Sequence, residues 1–159
     1  MPLKISIITG VQKGADRAAL DWAIKNSMPH GGWCPLGRVA SDGPLDAQYK
    51  LKETATEAIL ESVEGNVRDS DATVVFTLGP KATGPAQKAG TLAKKTKKPY
   101  LHLHRAILGV SERLTEFMDK YYTRRLHITG STEADEAGIS DWVTGTLDKM
   151  KGNFDRRPE

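Results

Sequence analysis

The chain of 159 residues predicts an α/β protein: a doubly wound, mostly parallel sheet of about five or more strands, with helices on both faces. Three observations predict it. Short β-branched or continuously apolar runs alternate with stretches of helical spacing about five times along the chain, which implies right-handed crossovers between parallel strands. The run "ATVVFTL" is apolar throughout, as a strand buried on both faces must be. No break in composition, internal repeat or low-complexity tract marks a linker, so residues 1–152 read as one domain and 153–159, "NFDRRPE", as a flexible tail.

The elements follow in order. "KISIIT" (Lys4–Thr9) is a β-branched strand, and Gly14–Lys25 carries Ala18, Ala19, Trp22 and Ala23 at helical spacing. Met28–Leu45 is rich in glycine and proline and has room for one short strand around Trp33. Thr54–Asp69 predicts a helix with Ala55, Ala58, Ile59, Val63 and Val67 on one stripe and Thr54 or Thr56 as its cap. Ala72–Leu78 is the next strand, then a helix over about Pro85–Thr96 ends before Pro99. Pro99–His104 predicts a strand, Ser111–Tyr121 a helix, Arg125–Gly130 a strand and Ile139–Met150 the closing helix.

Composition narrows the function classes. Hydrophobic residues make 38% and charged residues 27%, the balance of a globular chain, and no apolar run approaches the roughly 20 residues of a membrane span. The N-terminus lacks a signal-peptide pattern, and a single cysteine, Cys34, allows no internal disulfide, so a cytoplasmic location is expected. The net charge of +3 is concentrated in "AKKTKK" (Ala93–Lys98) and Arg156–Arg157, without interleaved aromatic residues. Lysines complementing a helix dipole account for the first cluster, and neither a nucleic-acid nor a membrane partner is expected. One cysteine and four scattered histidines (His30, His102, His104, His127) match no zinc spacing. His102 and His104 read as ordinary strand residues.

Three strand ends lead into polar glycine-bearing loops, where ligands of such folds bind. In "GVQKGADR", Gly10 and Gly14 permit close backbone approach ahead of a helix start, so Gln12 and Lys13 could meet an anion. A simple strand-to-helix turn would need the same glycines, and spacing alone does not separate the two. Asp16 and Arg17 suit either a dipole-favoured acid or a pair that locks the loop. The second loop offers Lys81, Thr83 and Gly84 before a helix, and two such helix starts would converge on one crevice. The third, "GSTEADEAG", carries Glu133, Asp135 and Glu136 and reads as a helix entry instead. "GGWCPLGRVASDG" (Gly31–Gly43) sets Trp33, Cys34 and Arg38 in a loop, with a buried apolar role the simplest one for Cys34. Asn66 and Asp69 lie one helical turn apart, as residues facing a crevice or capping a turn would.

Together, "TGVQKGADRAALDWAI", "GGWCPLGR-ASDGPL", "Y-L-ET", "NVRDSDATVVF" and "ITGSTEAD-AGI" resemble the molybdenum-cofactor carrier family, within the Rossmann-like superfamily of the LOG ("lysine-decarboxylase-like") phosphoribohydrolases. The resemblance runs from about Lys4 to Gly138. It implies a Rossmann-like fold, homo-oligomeric assembly, and a phosphorylated pterin carrying molybdenum, or a related nucleotide-like ligand, bound without turnover. It also implies a molybdoenzyme as a possible acceptor. The resemblance implies Gly10, Gln12, Gly14, Asp16 and Arg17 as ligand residues in the first loop, to which the reading of the loop itself adds Lys13. Trp33, Cys34, Pro35, Gly37 and Arg38 would border the ring, and Lys81, Thr83 and Gly84 would lie at the phosphate. The family's first loop reads G-G-Q-T-G-x-D-R, from which Val11 and Lys13 depart. The LOG motif P-G-G-x-G-T-x-x-E is missing, with Gln87 the nearest side chain to its acid. N-glycosidic hydrolysis is therefore not expected, nor are catalytic residues, zinc or pyridoxal phosphate. A nucleotide-binding sensor is the first alternative function, and a LOG-like phosphoribohydrolase cleaving nucleotide N-glycosidic bonds the second. Phe117, Trp142 and Tyr121–Tyr122 are candidates for an interface between subunits.

Overall fold

The structure, a computed structural model, describes residues 3–158. Its main sheet has five strands: β1 (Ser6–Ile8), β2 (His30–Gly31), β7 (Ala72–Phe76), β8 (Tyr100–Leu103) and β9 (Arg125–Gly130). They lie in the order β2-β1-β9-β7-β8, and every pairing is parallel. Counting these five strands from β9 instead of β1, the order reads 3-2-1-4-5, that of a doubly wound dinucleotide-binding sheet. The last strand of this chain thus occupies the place of a first one, at the centre of the sheet.

The helices are α1 (Ala15–Lys25), α2 (Ile59–Arg68), α3 (Gly84–Lys95), α4 (Val110–Lys120) and α5 (Ile139–Asp155). α1, α4 and α5 pack together on one face of the sheet, and α2 and α3 on the other. Alternation along the strands makes these faces chemically unlike. Leu126 and Ile128 of β9, with Val74 and Phe76 of β7 and Ile7 of β1, form the apolar core beneath α1, α4 and α5. The intervening residues, His127 and Thr129 of β9 and Thr73 of β7, point to the other side and are buried there as well. Thr73 Oγ1 lies 3.1 Å from His127 Nδ1. His127 is a neutral buried ring, its pKa pushed down by burial to about 3.

Four two-residue strands organise the glycine-rich segment. β3 (Trp33–Cys34) pairs in parallel with β6 (Lys52–Glu53), and β4 (Val39–Ala40) forms a hairpin with β5 (Gly43–Pro44). α2 begins later than its apolar stripe predicts. Thr54 and Thr56 are bound up in a turn, with Glu61 accepting from Ala55 N at 2.7 Å and from the Thr56 hydroxyl at 2.8 Å, so neither threonine caps the helix at its Ala58 boundary. α5 runs five residues beyond Met150, against the expected fraying from residue 153: Phe154 packs on the core, and Arg157 pairs with Asp119 on α4. Lys98 donates to the carbonyls of Val67, Arg68 and Ser70, closing the C-terminus of α2, while Lys94 and Lys95 lie in the last turn of α3. Phe117 and Trp142 contribute to the core, Trp142 edge-on to Phe76, which leaves Tyr121 and Tyr122 as the exposed members of that aromatic group.

Candidate functional site

The loops that leave the C-terminal ends of β1, β7 and β9 meet above the centre of the sheet and are tied to one another. Gly14 has φ of 142°, and a Cβ there would lie 2.5 Å from Ser131 O and 2.6 Å from Thr132 Cα. Ala15 N donates to Ser131 O (3.0 Å) and Glu133 N to Lys13 O (2.9 Å), so the first loop is zipped to the third. Glu136 ties the third loop to the second: its carboxylate accepts from Leu78 N, Gly79 N and the Ser131 hydroxyl at 2.8, 2.9 and 2.5 Å. Burial opposes that charge, but the hydroxyl and the two amides prevail and hold its pKa below the ordinary glutamate value. Glu133 accepts from Gly138 N, Ser140 N and the Ser140 hydroxyl, which caps α5. Two of the loop's acids thus serve as internal anions.

Beneath this junction lies a cavity of about 80 Å³ between the sheet and α2. His127 and Thr129 line it from the sheet, Ser62 and Asn66 from α2, Gly10–Gln12 and Asp16 from the first loop, Thr83–Ala86 from the start of α3, and Gly130–Thr132 and Asp135 from the third loop. It continues outward, past Gln12, Ile59, Pro85 and Thr132, into an open vestibule of about 560 Å³ bordered by Lys13, Ser41 and Asp42. The start of α3 has no side-chain cap and no acid in its first turn. The amides of Gly84 and Ala86, and those of Val11 and Lys13, take no hydrogen-bond partner among the described residues. Unpaired amides at a helix start carry a positive potential and receive anions.

Asp16 supplies the opposite character. Its Oδ1 is buried without a hydrogen-bond partner, as is the nearby Thr9 hydroxyl oxygen. Its Oδ2 lies over Gly10, where a Cβ would come within 2.8 Å of it. Burial pushes its pKa up to about 6, although Thr129, the Gln12 backbone, Arg17 and Thr9 all favour the anion. Arg17 does not neutralise it: the guanidinium donates twice to Val11 O (3.2 and 2.7 Å) and twice to the Asp42 carboxylate (3.1 and 3.0 Å).

Residues 7–151 match the model of the circularly permutated YpsA SLOG family. The chain belongs to this family. The permutation is visible in the sheet, whose order becomes the usual one only when counted from β9. Among solved structures, the chain is similar to a "putative molybdenum carrier protein" from Syntrophus aciditrophicus, with 33% identity and a TM-score of 0.88, covering 94% of this chain and 96% of that one. No curated protein matches it.

Against this geometry, the residues expected from sequence separate into two groups. Gly10, Gln12, Asp16, Pro35, Thr83 and Gly84 line the cavity, and Lys13 borders its vestibule. Gly14 serves the zip between loops. Arg17, Trp33, Gly37 and Arg38 turn to other partners. Arg38 donates to the carbonyls of Asp46, Tyr49 and Leu51, and Gly37 N to Glu53. Trp33 lies on Gly65 of α2, with its Nε1 donating to Asp69 (2.7 Å) and Lys52 Nζ 4.7 Å from the ring centroid, so it does not stack in the crevice. Cys34 is buried with Val11 and Ala40. Lys81 is exposed and lines neither the cavity nor the vestibule. Sequence reasoning missed Ser62 and His127 as lining residues; Ser62 lies four positions before Asn66, a polar pair on one helix face that could have shown it.

No group of three or more histidine, cysteine or acidic side chains that could hold a metal occurs among the described residues, and none of their helices is long and apolar enough to cross a membrane.

Proposed function

We propose that this chain binds a phosphorylated pterin or a nucleotide-like ligand in the crevice above β1, β9 and β7, and holds it without turnover, as a molybdenum cofactor carrier would. The observation that carries this reading is that residues with unpaired amides from two loops, Val11 from the first and Gly84 and Ala86 from the second, line a single cavity, with the unpaired Lys13 amide at its vestibule. The phosphate sits at the start of α3, whose first turn carries no acid, and Lys13 attracts it from the vestibule. Those groups fit the phosphate of a molybdenum cofactor, and the metal is cargo that the pterin itself carries. The name of the similar carrier protein supports this ligand class. Gln87 lines neither the cavity nor the vestibule, consistent with binding in place of N-glycosidic hydrolysis.

Thr83→Asp tests it. Aspartate is a good helix cap, so the variant keeps or gains stability while its carboxylate competes for the same amides. Titration of wild type with molybdenum cofactor and with nucleoside monophosphates is expected to show saturable binding, at least tenfold weaker in Thr83→Asp. Equal binding in both proteins sinks the phosphate placement. A response to nucleotides alone marks a nucleotide sensor.

A further inference from the structure

A carboxylate in the first turn of α1 is an awkward neighbour for a phosphate. Asp16 stands there half-buried, with its enclosed Oδ1 unpartnered and Oδ2 seated over Gly10, and Arg17 is turned away from it to Val11 O and Asp42. A buried polar atom without a partner costs free energy, so its persistence points to a partner that comes from outside the chain. Thr9 Oγ1 beside it is orphaned too. α3, across the same cavity, has an acid-free start with open amides. The crevice therefore has an end for anions and an end for hydrogen-bond donors.

We propose that Asp16 reads the ligand's heterocycle, its carboxylate accepting hydrogen bonds from the adjacent amino and ring N–H groups of a 2-amino-4-oxo pyrimidine edge. Guanine and pterin share that edge. Two parallel N–H donors satisfy both oxygens of a carboxylate at once, a charge-assisted pairing that a single hydroxyl cannot reproduce. Gly10 is then glycine because the carboxylate lies over it, a role separate from any approach of phosphate. This assignment rests on the binding site proposed above and adds which part of the ligand lies at which end.

The test uses the full chain, Asp16→Asn and Thr83→Asp, titrated calorimetrically with guanosine, inosine and 2′-deoxyguanosine 5′-monophosphates. Inosine monophosphate lacks the 2-amino group, and the deoxynucleotide lacks a sugar hydroxyl. Wild type is expected to prefer guanosine over inosine monophosphate at least tenfold and to treat the two guanine nucleotides alike. Asp16→Asn loses at least thirtyfold toward guanosine monophosphate and most of the preference, yet melts at a higher temperature than wild type at pH 7.5. A purely structural carboxylate would lower the melting temperature instead. Thr83→Asp weakens all three ligands equally and keeps the preference. Binding by Asp16→Asn within twofold of wild type overturns the assignment, and a preference set by the sugar hydroxyl moves Asp16 from base to ribose and overturns it too. If Asp16→Asn behaves as expected while Thr83→Asp has no effect, the phosphate placement fails and the base end stands. Wild type that binds none of the three overturns the assignment of Asp16 to this edge, while the phosphate placement is decided by the cofactor titration above.

Discussion

Two helices begin at the same crevice, and they begin in opposite ways. α1 opens with Gly14 pressed against the third loop, its Ala15 amide given to Ser131 O and its Arg17 amide to Gln12 O, and with Asp16 in its first turn. α3 opens with exposed Thr83 and Gly84, no acid, and amides without partners. Both look like anion cradles in sequence. A helix start is an anion site only while its amides are unspent, and the fold spends the Ala15 and Arg17 amides of α1 on the loops, leaving the unpaired amides on that side to the loop before it.

The sharpest way to break the comparison is at Gly14. Valine there needs a left-handed backbone and places Cβ 2.5 Å from a backbone carbonyl that cannot move without unzipping the first loop from the third. A loss of about 3 kcal/mol or more in urea unfolding is expected. Gly84, also at positive φ (58°), meets nothing within 4 Å, so Gly84→Ala is expected to cost only about 1 kcal/mol. Equal losses at the two positions would mean that the two helix starts are built alike.

Asp16→Asn comes next and has the opposite sign. The folded pKa of about 6 stands above the ordinary 3.8, so the native state holds this proton more tightly than the unfolded chain does. The resulting stabilisation is complete below about pH 4 and is lost as pH rises through about 6. Asparagine removes that fall and is expected to gain up to about 3 kcal/mol at pH 7 in denaturant titrations. The titratable and charged groups that face the same crevice are Arg17 on α1 itself, engaged by Asp42, His127 from β9, Asp135 and Glu133 from the third loop, and Lys13 at the vestibule. His127 stays neutral across this range, so it does not mimic the transition. A wild-type stability that is flat between pH 4 and 6 would contradict the seating of Asp16.

Much of this contrast lies beyond a local pattern. The strand Arg125–Gly130 was legible to the residue, and the five-strand parallel sheet followed from the alternation of elements. Strand order was not, because nothing in "RLHITG" says that the last strand enters the middle of the sheet, and with that placement His127 becomes part of a cavity floor. The first loop's residues were legible as a motif, but their roles depend on distant partners. Arg17 finds Asp42 twenty-five positions away, Trp33 finds Asp69 thirty-six away, and Arg38 finds three carbonyls. Arginine and tryptophan near a glycine-rich loop look like ligand contacts when the loop's own folding demands are invisible.

Glu136→Gln probes the second tie. The amide side chain keeps the shape but loses the charge received by Leu78 N, Gly79 N and the Ser131 hydroxyl, for an expected loss of about 1 to 2 kcal/mol. Because the glutamate pKa is lowered, its contribution is present above the ordinary carboxylate range and disappears as pH falls through the folded value. Wild type and variant should therefore converge in stability under acid, and a constant gap would show that packing, not charge, makes this tie.

The smallest expected effect separates Arg17 from the ligand. Its bond to Asp42 joins a largely buried guanidinium to a partly exposed carboxylate, with side-chain exposures of 17% and 38%. Arg17 holds the Asp42 pKa low, yet a pair so open to solvent contributes at most about 1 kcal/mol. Asp42→Ala is thus expected to cost no more than that and to leave ligand affinity within about twofold, because Val11 O still holds Arg17 in place. A tighter complex in Asp42→Ala would mean that the freed guanidinium swings to the phosphate, and that wild-type Arg17 is restrained from a contact the family motif suggests. Weaker binding would mean that the hairpin itself closes over the vestibule, since Asp42 and Ser41 both border it. Affinity, more than stability, decides whether the start of α1 takes part in binding or only frames it.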